Sequence, residues 1–252
     1  MESGTFNHNK KIFNLIIKYS KDLGLSKLIL EEMSSKSAKE YMKDINDCGV
    51  KTANVLSEFS INKTNIIIEN YISGMTIDQI LKNNSPEKLT ALKQLFIIYK
   101  KISNNENLCL DWNLKNFIYH NNELYYIDFV PSIYKDKIRC SKEEILKDYI
   151  DTYLDSNVTL LGIYYYILKT LSNAVNKEEL LLFSYELDNL FKEELNIKLD
   201  FNSQHEYGKC IKIMREYLNS NFSFKQLEEQ LKKVSLEEKV NEDYKKKYVL
   251  HM

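Results

Sequence analysis

The stretch LDWNLKNFIYHNNELYYIDF (residues 110–129) sets Asp111, Asn116 and Asp128 at uneven spacing in otherwise apolar, aromatic text. Ionised side chains are seldom buried without a partner, so polar groups placed like this in strand-like sequence point to a site. NFIYH and ELYYIDF are rich in β-formers and flank Asn121-Asn122, a pair that tolerates the positive φ of a tight turn. The spacing predicts a β-hairpin with Asn116 and Asp128 at its open end. A two-residue turn sets Asn116 opposite Ile127, with Asp128 offset by one. A three-residue turn over 121–123 sets Asn116 opposite Asp128. Asp111 lies one short loop upstream. A carboxylate, an amide oxygen and a second carboxylate suit Mg2+, which takes one or two carboxylates and completes its shell with phosphate and water.

Upstream of this stretch, KKIFNLIIKYS (10–20), SKLILEEM (26–33) and TNIIIENYISG (64–74) read as strands. SAKEYMKDINDCGV (37–50) places Tyr41, Met42 and Ile45 near helical spacing, with Gly49 as a stop signal. Thr76 and Gln79 form the T-x-x-Q of a capping box. Ser85 and Pro86 open a helix over 85–103 as N-cap and first residue. Further boxes at Ser141/Glu144 and Ser223/Gln226 bracket apolar helices near 158–174 and 177–195. The order predicts an α+β chain, with a small strand-rich N-terminal lobe over 1–70 and a larger helical lobe over 71–252.

The bulk numbers narrow the function classes. Across 252 residues, 35 Lys+Arg against 36 Asp+Glu leave a formal net charge of −1, so no global field selects nucleic acid or a membrane surface. There is no N-terminal signal pattern and no apolar run of membrane-spanning length. Cys48, Cys109, Cys140 and Cys210 are far apart, as are the four histidines. That spacing argues against a disulfide framework or zinc site and for reduced thiols in the cytoplasm.

D-W-N-L-K-N (111–116) resembles the D-x-x-x-x-N catalytic loop of the protein-kinase-like fold, and the Asp of Y-I-D-F (126–129) stands where that fold carries its D-F-G or I-D-W Asp. IIIENYISG followed by MTIDQIL looks like the last small-lobe strand, hinge and following helix. The likeness is closest to the aminoglycoside phosphotransferase/choline kinase-like branch and covers about 26–135. It implies a bilobal fold that binds ATP and Mg2+ and phosphorylates a hydroxyl. Asp111 is then the catalytic base, and Asn116 and Asp128 hold the metal. Glu69 and Tyr71 offer hinge backbone to the adenine, and Glu40 is the small-lobe helix Glu.

Three positions depart from that pattern. LILE (28–31) stands where V-A-I-K carries a phosphate-binding Lys, which puts Glu31 at that position. Lys27 shares its strand face but lies about 13 Å away. Cys109 replaces the usual His, and SGTFNHNKK (3–11), the one candidate phosphate-covering loop, has Gly4 as its sole glycine. Lys115 is either a replacement charge at the transferred phosphate or a solvated loop residue, and Trp112 either stacks on the acceptor or anchors the loop. Only about 12 residues separate Asp128 from Ser141, with no A-P-E, which favours a small-molecule acceptor over a protein. Acidic residues over 143–155 either line a site for a cationic acceptor or face solvent. The competing expectation is a pseudokinase that binds nucleotide or a protein partner with little turnover. The choice between ATP and GTP, and the oligomeric state, stay open.

Overall fold

The structure, a computed structural model, describes residues 2–3, 7–20, 36–61, 64–129, 132–140, 152–196 and 199–234. The chain is α+β, strand-rich toward its N-terminus and helical toward its C-terminus. It divides into two compact units. The first takes in residues 1–75, 98–111 and 116–142, so the 117–126 hairpin belongs with the N-terminal strands and not with the C-terminal helices. The second takes in 76–97, 112–115 and 143–252.

In the first unit, β1 (Glu2–Ser3), β2 (Asn7–Ile12), β3 (Leu15–Ser20), β5 (Val55–Ile61) and β6 (Thr64–Asn70) form one sheet in the order β1-β2-β3-β6-β5. Residues 10–20 are a hairpin and not the single strand expected from their composition. Ile12 pairs with Leu15 around Phe13-Asn14, and Phe13 takes φ 51°. An exposed Phe is a poor turn signal, which is why the turn is hard to read. Strand β5 was also not anticipated, because most of its side chains face solvent and it carries no apolar alternation. Residues 26–33 lie outside the described residues.

Helix α1 (Ala38–Asp47) forms as its pattern predicts. Ser37 and Glu40 make a reciprocal capping box, Tyr41 and Ile45 are fully buried, and Gly49 just past its end takes φ +76°. Strands β4 (Lys51–Thr52), β7 (Met75–Thr76), β8 (Phe117–His120) and β9 (Glu123–Tyr126) make a second sheet in the order β4-β9-β8-β7.

The second unit is helical. Helix α2 (Ile77–Lys82) starts at the Thr76/Gln79 box. Helix α3 (Lys88–Ser103), whose later turns belong to the first unit, begins two residues beyond Pro86. Helix α4 (Lys135–Cys140) closes the described part of the first unit. In α5 (Ser156–Leu171) side chains are buried nearly all round, as for a helix at the centre of its unit. It packs with α6 (Lys177–Leu195) and α7 (Glu206–Asn219); α8 (Phe224–Lys232) packs on α7 behind the Ser223/Gln226 box. Ser141, Glu144 and most of the acidic run over 143–155 lie outside the described residues.

Candidate functional site

The hairpin register follows from its turn. Asn121 and Asn122 both take positive φ, 49° and 62°, and His120 pairs directly with Glu123. This is a two-residue turn of the primed kind that matches strand twist. Asn116 therefore faces Ile127, whose N–H donates to the Asn116 carbonyl at 2.9 Å, and Asp128 is offset by one. Leu114–Asn116 is a short 3-10 turn that feeds β8. The Asn116 amide donates to the Asp111 carbonyl at 3.4 Å, so the loop's own backbone fixes the amide, and Oδ1 is the oxygen it offers.

Asp111 is tied to the same hairpin. Its backbone N–H donates to the Tyr126 hydroxyl at 3.2 Å. Tyr126 in turn hydrogen-bonds the Tyr41 hydroxyl from α1, and Tyr41 donates to the Cys109 carbonyl. Both rings are buried, so a relay of two hydroxyls anchors the Cys109–Asp111 segment at both ends. Burial first, then neighbouring charge, raises both tyrosine pKa values well above normal, so both hydroxyls keep their protons near neutral pH. Burial likewise pushes the Cys109 thiol up to about 12, which leaves it protonated and inert near neutral pH. The charge of Asp128 acts on Tyr41, Tyr126 and Glu69, and that of Asp111 on Tyr126. The two acids thus border one buried cluster.

A cation completes this cluster at a position that the sequence reading passed over. Lys18, on β3, places Nζ 2.8 Å from Glu69 Oε1, with side chains only 6% and 3% exposed. The same ammonium donates to the carbonyl of Ile127, next to Asp128, and lies 5.6 Å from the centre of the Phe129 ring. The signal was present as LIIK (15–18), a closer likeness to V-A-I-K than LILE is. Taking 10–20 as one strand hides it, because LIIK then has no strand of its own. Glu31, Lys27 and Gly4 lie outside the described residues.

The remaining expected residues separate. The Glu40 carboxylate accepts from Ser37 N–H at 3.1 Å and Ser37 Oγ at 2.8 Å, and it is exposed. Those bonds, led by the hydroxyl, lower its pKa. It caps its own helix and is not the partner of Lys18. Glu69 enters the cluster through its side chain, while its backbone pairs with Ile16 and Val55 inside the sheet. The Tyr71 N–H is committed to the Asn14 carbonyl at 2.8 Å, with Lys11 Nζ stacked 3.3 Å from its ring centre. Trp112, half-buried, and Lys115, exposed, are grouped with the second unit.

Asn116 and Asp128 offer hard oxygen donors that fit Mg2+ in the low-carboxylate mode it adopts beside phosphates. Among the described residues no three of His, Cys, Asp or Glu gather into an all-protein metal cage. No helix among them is long and apolar enough to cross a membrane. Compared with protein-family models and with curated proteins, the chain matches none.

Proposed function

We propose that the chain is an ATP- and Mg2+-dependent phosphotransferase of the protein-kinase-like kind, acting on a hydroxyl of a small-molecule acceptor. The observation that carries this reading is the contact of Lys18 with Glu69 and with the carbonyl of Ile127. It brings a buried cation to the residue preceding Asp128, in the same compact unit as Asp111 and Asn116. A phosphoryl-transfer site needs a cation for phosphate oxygens, oxygen ligands for a metal and a base for the acceptor, and catalysis then comes from positioning and charge neutralisation.

Each group has one task. Lys18 neutralises a phosphate oxygen, and Asn116 and Asp128 hold Mg2+, which supplies charge neutralisation on the phosphates when bound. Asp111 orients the acceptor hydroxyl and takes its proton. The acceptor oxygen bonds to the terminal phosphorus as the bridging P–O bond breaks and ADP leaves. The Asp111 backbone, held by Tyr126, keeps the base in place.

The test is thermal stability with and without MgATP, for the wild type and for Asp128→Asn. A ligand at about 100 times its Kd stabilises a folded protein by roughly 2.7 kcal/mol. Stabilisation of wild type that requires Mg2+ and is absent in Asp128→Asn is expected; no response from wild type would discard the reading. Stabilisation without any Asp111-dependent turnover would reduce it to a nucleotide-binding module, the pseudokinase alternative.

A further inference from the structure

We propose that Glu69, on strand β6, is the residue that positions the phosphate-binding ammonium of Lys18, so that the cation of the site is set by the sheet and not by helix α1. The inference rests on the phosphotransferase reading and deepens it, because it assigns the positioning of the cation to a residue expected to act only through its backbone.

The sheet register makes the pairing a built feature. Strands β3 and β6 are antiparallel, with Lys18 opposite Ile67 and Ile16 opposite Glu69. Ile67 and Glu69 are two residues apart and share a face, so Lys18 and Glu69 are diagonal neighbours on it. Diagonal neighbours lie about 7–8 Å apart, a gap that two long side chains close. Lys18, Ile67 and Glu69 are all buried, so this face is turned inward.

Charge explains why the contact persists. Removing one member of a buried ion pair strands the other in a medium that solvates it poorly, so neither side chain leaves without the other. Lysine has three N–H donors. Glu69 Oε1 and the Ile127 carbonyl engage two of them, and a phosphate oxygen matches the third. The carbonyl contact also sets the ammonium against the residue that leads into Asp128, so cation and metal ligand share one reference point. Among the described residues Glu69 Oε2, which is buried, has no hydrogen-bond partner, and Lys18 engages the carboxylate through Oε1.

The other candidate for this task is excluded by its own contacts. Glu40 spends its carboxylate on Ser37 at the start of α1 and is exposed. Helix α1 instead reaches the site through Tyr41, which holds the Cys109 carbonyl. In this chain the helix therefore acts on the segment of the base, and the strand acts on the cation.

The experiment is calorimetric titration of MgATP and of adenosine into wild type, Glu69→Gln and Glu40→Gln. Adenosine lacks the phosphates that Lys18 meets, so general damage to the fold weakens both ligands, whereas a misplaced ammonium weakens MgATP alone. The expected result is MgATP affinity at least tenfold weaker in Glu69→Gln, adenosine affinity unchanged, and both unchanged in Glu40→Gln. Should Glu69→Gln not fold, Glu69→Asp carries the same comparison, since it keeps the charge but draws it back by one methylene. An unchanged ratio of MgATP to adenosine affinity in the Glu69 variant that folds, or an equal loss in Glu40→Gln, would overturn the inference and leave the phosphotransferase reading standing. Wild type that binds no MgATP would overturn both.

Discussion

The backbone N–H of Asp111 donates to the hydroxyl of Tyr126 across 3.2 Å, from a loop to a buried ring fifteen residues further along the chain. Tyr126 passes the connection to Tyr41, and Tyr41 to the carbonyl of Cys109. Cys109, which stands where the kinase-like pattern carries a His, is thus held by its backbone carbonyl, and burial raises its thiol pKa to about 12. Tyr126→Phe strips a partner from both the Asp111 N–H and the Tyr41 hydroxyl. A buried polar group left unsatisfied costs about 1–3 kcal/mol, and the denaturant midpoint should fall accordingly. Tyr41→Phe should cost a similar amount. The two hydroxyls share a bond, so Tyr41→Phe/Tyr126→Phe should lose less than the sum of the single losses. Strict additivity in that cycle would disprove the relay.

The hairpin was legible because each part of it is local. Two runs of β-formers around Asn121-Asn122 need only turn chemistry to fold, and the same chemistry chooses between the two registers once φ is known. The capping boxes at Thr76 and Ser223 rest on neighbours three residues apart and are equally readable. The Lys18–Glu69 pair was not. It depends on how β3 lies against β6, fifty-one residues apart in sequence, and on a turn at Phe13-Asn14 that no Gly or Pro announces. The tyrosine relay was hidden for the same reason, since spacing along a chain does not say which buried hydroxyl meets which carbonyl.

The turn also gives a direct test of the register. Left-handed backbone costs a side chain with a Cβ about 1–2 kcal/mol, and more for a β-branched one, while Asn and Gly adopt it readily. Asn122→Gly should be neutral or slightly stabilising, and Asn121→Val should destabilise by at least about 1–2 kcal/mol. Equal stability of these two variants in chemical denaturation would mean that the turn is not the two-residue one.

Gly74, in the connector after β6, has φ +152°. A Cβ there would fall 2.3 Å from the Tyr119 carbonyl oxygen and 2.9 Å from Ile118 Cγ2. The nearer atom is backbone in β8, the strand that follows Asn116, so it cannot swing aside as a side-chain tip would. Gly74→Ala should combine roughly 1–3 kcal/mol of overpacking with a further penalty for positive φ. The amides of Ile118 and Tyr119 should exchange faster with solvent than in wild type. Unaltered exchange at those two positions, with unaltered stability, would show that the connector does not press on the hairpin.

Buried Glu69 should give the pH dependence of stability a sign opposite to that of the acids on α1. Burial raises the Glu69 pKa above its ordinary 4.5, the charge and hydrogen bond of Lys18 oppose that rise, and Asp128 adds to it. A carboxyl that holds its proton more tightly when folded contributes fully below 4.5, and that contribution is lost as pH rises through the folded-state value. Asp44 behaves in the reverse way. Burial acts to raise its pKa, but the bonds from Lys36 and Tyr134 outweigh burial and leave it below 3.8. Its contribution is present above 3.8 and is lost as pH falls through the folded-state value. Denaturant unfolding of wild type, Glu69→Gln and Asp44→Asn at intervals between about pH 3 and pH 7 separates the two. Relative to Glu69→Gln, wild type should lose stability as pH rises just above 4.5 and then level off. Relative to Asp44→Asn, it should lose stability only on the acid side, below 3.8. A wild-type curve that gains on Glu69→Gln across the first window would mean that Lys18 overrides burial and that the Glu69 pKa is lowered in the fold.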